Sequence, residues 1–141
     1  MLGVNPYIAF AGNCQEAIEF YQKALGAELL FSQTWGESPH SQPGMDDKIM
    51  HATIKIGDSA IMMCDTPDAA TASSNISLAL GMNEVEKAKL MFDNLSEGAN
   101  VTMPLDKTFW AEAFGMLTDK FGINWMINCD APKTETEQAA A

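Results

Sequence analysis

Two hydrophobic periods follow one another along this chain, and then the same pair returns. Tyr7-Ile-Ala-Phe-Ala11 alternates, with Ile8 and Phe10 on one face and Tyr7 and Ala9 on the other, which predicts a strand. The next segment changes to a period of 3.6: Ala17, Phe20, Tyr21 and Ala24 line one side of a predicted helix. In the second half, Asn75–Leu80 sets Ile76, Leu78 and Leu80 against Asn75, Ser77 and Ala79, and a helix follows with Ala88, Met91, Phe92 and Leu95 on one side. The four apolar helix positions repeat at a constant offset of 71 (88 − 17, and likewise for the other three). Both helices carry start and stop signals. Asn13 with Glu16, and Asn83 with Glu86, predict capping boxes in which Asn serves as the cap, while Gly26 and Gly98 predict left-handed ends.

Further strands are predicted after each helix. In the first half they span 28–35, 48–56 and 59–64, the last two joined by a hairpin at Gly57-Asp58. In the second half they span 100–103, 108–117 and 123–128. The order is β-α-β-β-β twice: a first module over 1–65, a small polar linker over 66–74, a second module over 75–130, and a polar, Ala-rich tail over 131–141 that is expected to fray. The fold class is therefore α+β, with two βαβββ modules forming curved mixed sheets around a central cavity.

Composition narrows the function classes. A chain of 141 residues with 47% apolar residues can fill one such core. Eight basic against 19 acidic residues give a net charge of −11, which disfavours nucleic acid and anionic membranes as partners. No apolar run approaches the ~20 residues of a membrane span, and no secretory signal stands at the N-terminus. Cys14, Cys64 and Cys129 are odd in number and have no Cys-x-x-Cys pair, which predicts reduced thiols and a cytoplasmic protein.

Candidate chemistry follows from the strand faces. Met50, Ala52, Ile54 and Ile56 form an apolar stripe suited to lie under a helix, as do Ile123, Trp125 and Ile127. The opposite faces hold His51, Thr53, Asn75, Ser77, Asn124 and Asn128, which converge if the sheets curve around one concavity. His51 suits a general acid or base, and equally suits a partly buried structural role. His51, Asp65 and Glu112 are the candidate catalytic residues. If Thr108–Leu117 is one strand, Trp110, Glu112 and Phe114 share a face, and the two aromatic rings can clamp a planar ligand or pack a rim or dimer interface. The ligand-binding candidates are therefore His51, Thr53, Asn75, Ser77, Trp110, Phe114 and Asn124. His40 lies in a Pro/Gly/Ser-rich loop and reads as a surface residue. Glycine-rich phosphate loops, nucleophile elbows and nucleotide fingerprints are absent.

Pro6–Ala17, Phe20-Tyr21 with Leu25-Gly-Ala27, Met50-His-Ala52, Met62–Asp65, Thr108–Ala111, Phe114-Gly115, Thr118–Gly122 and Trp125–Asn128 occur in an order that resembles the vicinal oxygen chelate superfamily. Within that superfamily of glyoxalases, bleomycin-binding proteins and extradiol dioxygenases, they are most similar to the PhnB-like branch, also labelled 3-demethylubiquinone methyltransferase-like. The resemblance implies a glyoxalase-like fold, a homodimer and a small-molecule ligand. It also implies positions for divalent-metal ligands near Asn5, near Met63 and Asp65, at about Asn75 and near Met126. Amides and thioethers are poor donors for such an ion, so no cofactor is expected. The leading expectation is a small-molecule-binding protein without the usual divalent metal. The alternative is a metal-dependent lyase, isomerase or dioxygenase-type enzyme with a non-standard set drawn from His51, Asp65 and Glu112.

Overall fold

Chain contacts divide the protein into two compact units, Met1–Thr71 and Ala72–Ala141. The structure is a computed structural model that describes residues 2–40, 43–69 and 75–130. The first unit runs β1 (Tyr7–Phe10), α1 (Cys14–Leu25), β2 (Glu28–Thr34), β3 (Ile49–Ile56) and β4 (Ser59–Asp65), with a short 3-10 turn at Trp35–Glu37. Its sheet has the order β1-β4-β3-β2, with β1 parallel to β4 and the other pairs antiparallel. The second unit repeats this plan with β5 (Leu78–Met82), α2 (Val85–Leu95), β6 (Asn100–Asp106), β7 (Ala113–Thr118) and β8 (Asn124–Cys129). There the order is β5-β8-β7-β6, with β5 parallel to β8. The expected α+β architecture of two βαβββ modules is thus present. The stretch expected as a linker lies partly outside the described residues (70–74), and the expected tail (131–141) lies wholly outside them.

One helix seals one face of each sheet. α1 packs on β2, β3 and β4, burying Ala17, Ile18, Tyr21, Ala24 and Leu25 over Phe10, Ala52, Ile54, Ile61 and Met63. Each large apolar side chain so covered contributes roughly 1.5–3 kcal/mol relative to exposure. α2 packs on β7 and β8 with a narrower buried stripe of Ala88, Phe92 and Leu95 over Leu117, Trp125 and Ile127. Gly115 is needed under α2, because a Cβ there would stand 2.7 Å from Phe92 Cε2 and 2.9 Å from Leu105 Cα.

The helix ends differ from expectation in informative ways. Gly26 does close α1 in a left-handed conformation (φ 68°), its N–H donating to Gln22 O. Asn13, however, makes no side-chain capping bond. The Cys14 N–H at the start of α1 donates instead to Asp65 Oδ1 (3.0 Å), so the cap comes from the end of β4. In α2 the cap position falls to Glu84 rather than Asn83, again without a side-chain bond, and Ser96 ends the helix with its hydroxyl donating to Phe92 O. Strand bounds also shift. β5 begins at Leu78, leaving Asn75, Ile76 and Ser77 exposed ahead of it. The segment predicted as one strand from Thr108 opens as a turn, where the Thr108 hydroxyl accepts from the N–H groups of Trp110 and Ala111; β7 starts only at Ala113.

Both outer strands bulge at matching places. In β2, Leu29 pairs with Ile54 and Phe31 with Thr53, so Leu30 is the extra residue. In β6, Val101 pairs with Leu117 and Met103 with Met116, so Thr102 is extra. Each bulge re-aims the residue after it toward the sheet face opposite the helix. Among the described residues no helix is long and apolar enough to cross a membrane.

Candidate functional site

The helix-free face of the first sheet gathers the titratable chemistry. Cross-strand register sets Tyr7, Met62, Thr53 and Phe31 in one row, and the pairs Ala9–Cys64 and His51–Gln33 follow on the same face. His51 is the hub. Its Nδ1 lies 3.4 Å from the Tyr7 hydroxyl and its Nε2 lies 3.4 Å from Thr53 Oγ1. The Tyr7 and Phe31 rings stand 5.7 and 6.1 Å from the imidazole, both tilted. These two rings are about half exposed, at 52% and 50%, while His51, Thr53 and Cys64 are half-buried. Burial first, then a hydrogen bond with Cys64, hold the Tyr7 phenol above its ordinary pKa. Tyr7 therefore stays a donor throughout the neutral range. The arrangement offers two hydroxyls, an imidazole and a thiol between two exposed aromatic surfaces.

Asp65 takes no part in that cluster. It shares the helix side with Met63 and is 1% exposed. Its carboxylate accepts from the backbone N–H groups of Gly12 and Cys14 at Oδ1 and of Ile49 at Oδ2, all within 3.0 Å. Both oxygens are thus used to tie β1, α1 and β3 together. Cys14, fully buried beside this carboxylate, has its thiol pKa pushed up to about 12, by burial first and by the Asp65 charge second.

The second sheet presents different material on its helix-free face. Ala79, Met126, Met116 and Met103 form one row, and Gly81, Asn128, Phe114 and Asp106 the next. The Trp110 ring packs edge-on against Phe114 at 5.4 Å and against Phe109 at 4.7 Å. Phe109 is 97% exposed. Asn124 is occupied structurally: its Oδ1 accepts from the Thr118 hydroxyl and its Nδ2 donates to Ile76 O. Glu112 precedes β7, and its N–H donates to Cys129 O. Asp119, 4% exposed, accepts from the N–H groups of Phe121 and Ile123 and from Trp125 Nε1, fixing the β7–β8 turn.

Of the residues singled out from sequence, the structure brings His51 together with Thr53, and Trp110 together with Phe114. His51 and Asp65 point to opposite faces of one sheet. Glu112 belongs to the other unit, and Asn75 and Ser77 lie ahead of β5. The residues that sequence reasoning passed over are Tyr7, Phe31 and Cys64. Alternation in β1 and β4 signals Tyr7 and Cys64, whereas Phe31 is aimed by a bulge that no periodicity reveals.

The model of the Glyoxalase/Bleomycin resistance protein/Dioxygenase superfamily matches residues 3–127. The chain belongs to this superfamily. Protein YjdN of Escherichia coli K12 is 44% identical over 137 residues, covering 89% of this chain and 93% of YjdN. The crystal structure of protein PA1353 from Pseudomonas aeruginosa is similar with a TM-score of 0.85 and 40% identity, over 94% of this chain and 100% of that one. A putative 3-demethylubiquinone-9 3-methyltransferase, PhnB protein, from Bacillus cereus shares the fold at a TM-score of 0.78 and 22% identity, over 91% and 99% of the two chains. Members of the glyoxalase superfamily often bind metals, so the donor positions carry a test. Asn5 donates its amide to Ala60 O, Met63 is fully buried on the helix side, Asn75 precedes β5, and Met126 is a thioether. Among the described residues no group of three or more His, Cys, Asp or Glu is placed to hold a metal ion. The residues present do not fit a hard or borderline divalent cation.

Proposed function

We infer that this glyoxalase-superfamily protein binds a small, partly aromatic molecule on the helix-free face of its first sheet, without a divalent metal, and that it acts as a cytoplasmic homodimer. One observation carries the reading: His51 stands between the hydroxyls of Tyr7 and Thr53 and is flanked by two half-exposed rings. Both ring nitrogens thus face a hydroxyl, Nδ1 that of Tyr7 and Nε2 that of Thr53. The hydroxyl-flanked imidazole and the aromatic walls suit a planar ligand with one or two hydrogen-bonding groups. The chain contains no arginine, and among the described residues Lys55 is the only lysine in the strands on this sheet face. Bidentate recognition of a phosphonate or carboxylate is accordingly unsupported here. The free state of all three cysteines supports a reducing compartment.

A thermal-shift screen of uncharged aromatic compounds tests the reading. Compounds that bind should stabilise the wild type by about 2.7 kcal/mol at one hundred times Kd. The same compounds should lose most of that effect in Tyr7→Phe and His51→Ala, whose own melting temperatures stay close to wild type. Hits that bind both variants as well as wild type would overturn the site, and a library without hits would overturn the function. Elemental analysis of untagged protein showing stoichiometric zinc, nickel, iron or manganese would overturn the metal-free reading. Light scattering that shows only monomer at micromolar concentration would overturn the dimer.

A further inference from the structure

One end of the second sheet carries an aromatic turn set among carboxylates. Met82, Cys129 and Ala113 are in register, so β5, β8 and β7 reach the same end, and β6 finishes there with Asp106 opposite Phe114. At that end Glu84 follows β5, Asp130 follows β8 and Glu112 precedes β7. Three of these charges are felt at one atom: after burial, Asp130, Glu112 and Glu84 raise the Cys129 thiol. Among the described residues, the lysines at this end are Lys107 beside Asp106, and Lys87 and Lys89 on α2, of which Lys89 lies 3.7 Å from Glu86. Glu84, Glu86, Asp106, Glu112 and Asp130 thus outnumber them.

The turn between β6 and β7 is pinned. Thr108 N–H donates to Ala111 O, the Thr108 hydroxyl accepts from the N–H groups of Trp110 and Ala111, and Glu112 N–H donates to Cys129 O. On this frame Trp110 packs on Phe114, which is left 8% exposed. Phe109 stands at 82° to Trp110 with 4.7 Å between ring centroids, so the two rings are walls of an open, right-angled corner. Trp110 is 51% exposed and Phe109 97%. Packing accounts for Phe114 and for one side of Trp110. It does not account for Phe109, whose ring adds nothing to the core.

Aromatic faces carry negative charge at their centres and attract cations, indole most strongly. Uncharged rings alone would accept any hydrocarbon; the surrounding carboxylates add a preference for positive charge, and the net charge of −11 extends it outward. A quaternary ammonium group joins apolar methyl surface to a cation, which is what such a corner rewards. We propose that Phe109 and Trp110 bind the ammonium group of a small soluble quaternary amine, with Asp106 and Glu112 supplying the electrostatic attraction. The site lies in a different unit from the His51 cluster, so either can fail without the other.

Choline and its neutral isostere 3,3-dimethyl-1-butanol are the probes, read by the indole N–H signals of 15N-labelled protein. Trp35 and Trp125 serve as references, because their Nε1 groups are held by Asp65 O and Asp119 Oδ2. Choline should move the Trp110 signal saturably and leave the other two in place. The neutral isostere should bind about ten-fold more weakly. Phe109→Ala removes a side chain that stands in water, so the fold is kept, and should weaken choline binding about three-fold or more. Asp106→Asn should weaken it too and flatten its dependence on salt. Equal affinity for the neutral isostere would reveal a plain apolar patch and overturn the proposal. So would the absence of a Trp110 shift, or a choline affinity unchanged in Phe109→Ala. Co-sedimentation with phosphatidylcholine vesicles would assign the ammonium group to a lipid headgroup and overturn the soluble ligand.

Discussion

The two units of this chain are built to one plan and finished differently. On the helix side both are apolar. On the helix-free side, the place of His51 relative to its sheet is taken in the second unit by Phe114, that of Thr53 by Met116, and that of Cys64 by Asn128. The paired bulges put Phe31 in one unit where Met103 stands in the other. Hydrophobic burial against the helix sets what must stay alike. The opposite face, free of that requirement, has become an imidazole–hydroxyl cluster in one unit and a thioether row in the other. Chemistry in this fold is thus a property of one face of each sheet and can be altered there without disturbing the core.

The strongest way to sharpen the comparison is through the two buried aspartates. Asp65 gathers N–H groups from the β1–α1 junction and from the start of β3, far from each other in sequence, whereas Asp119 serves one turn and one indole. Asp65→Ala strands two buried donors and a half-buried third, and should cost about 3–5 kcal/mol in urea unfolding. Asp119→Ala should cost less, about 2–3 kcal/mol, because the residues around Phe121 can turn their N–H groups to water. Equal losses would show that the turn of the second unit is as central as the junction of the first. Next in size, Gly115→Ala should destabilise by about 1–3 kcal/mol through overpacking against Phe92 and the Leu105 backbone.

A smaller effect separates the units by pH. The Cys14 thiol has a folded pKa of about 12 against an ordinary 9.0, so the folded state holds its proton longer than the unfolded state. Its contribution to stability is complete below pH 9.0 and is lost as pH rises toward 12. Urea midpoints measured across that window should fall with rising pH, and the fall should be shallower in Cys14→Ala. Burial also raises the Cys129 thiol, with Asp130 and Glu112 adding to it. A slope unchanged by Cys14→Ala would move the effect to Tyr7 or to Cys129, which folding also holds protonated.

Much of the fold was legible because each module repeats a period-two segment, a period-3.6 segment and three more strands. Ile54 and Trp125 announce their burial by alternation alone. His51 and Thr53 were legible for the same reason. Asp65 was the instructive case. Its type suggests catalysis, yet Ile61, Met63 and Asp65 share one face by simple alternation, and that face is the buried one. Trp110 and Glu112 were placed on a strand because period two was extended through Thr108, where a side-chain oxygen bonding to nearby N–H groups makes a turn instead. The rows themselves were out of reach, since a single extra residue at Leu30 or Thr102 changes which side chains meet across strands.

Those two extra residues also bear on how the protein behaves in a crowded solution. β2 and β6 are the outer strands of their sheets and carry exposed Leu29, Leu30, Phe31, Val101 and Met103. A straight edge with that composition is a template onto which further strands add without limit. Each of these strands has two breaks in its pairing, which throw its free N–H and C=O groups out of line and deny an incoming strand a continuous ladder. The residue that aims a side chain thus also guards the edge against fibril growth.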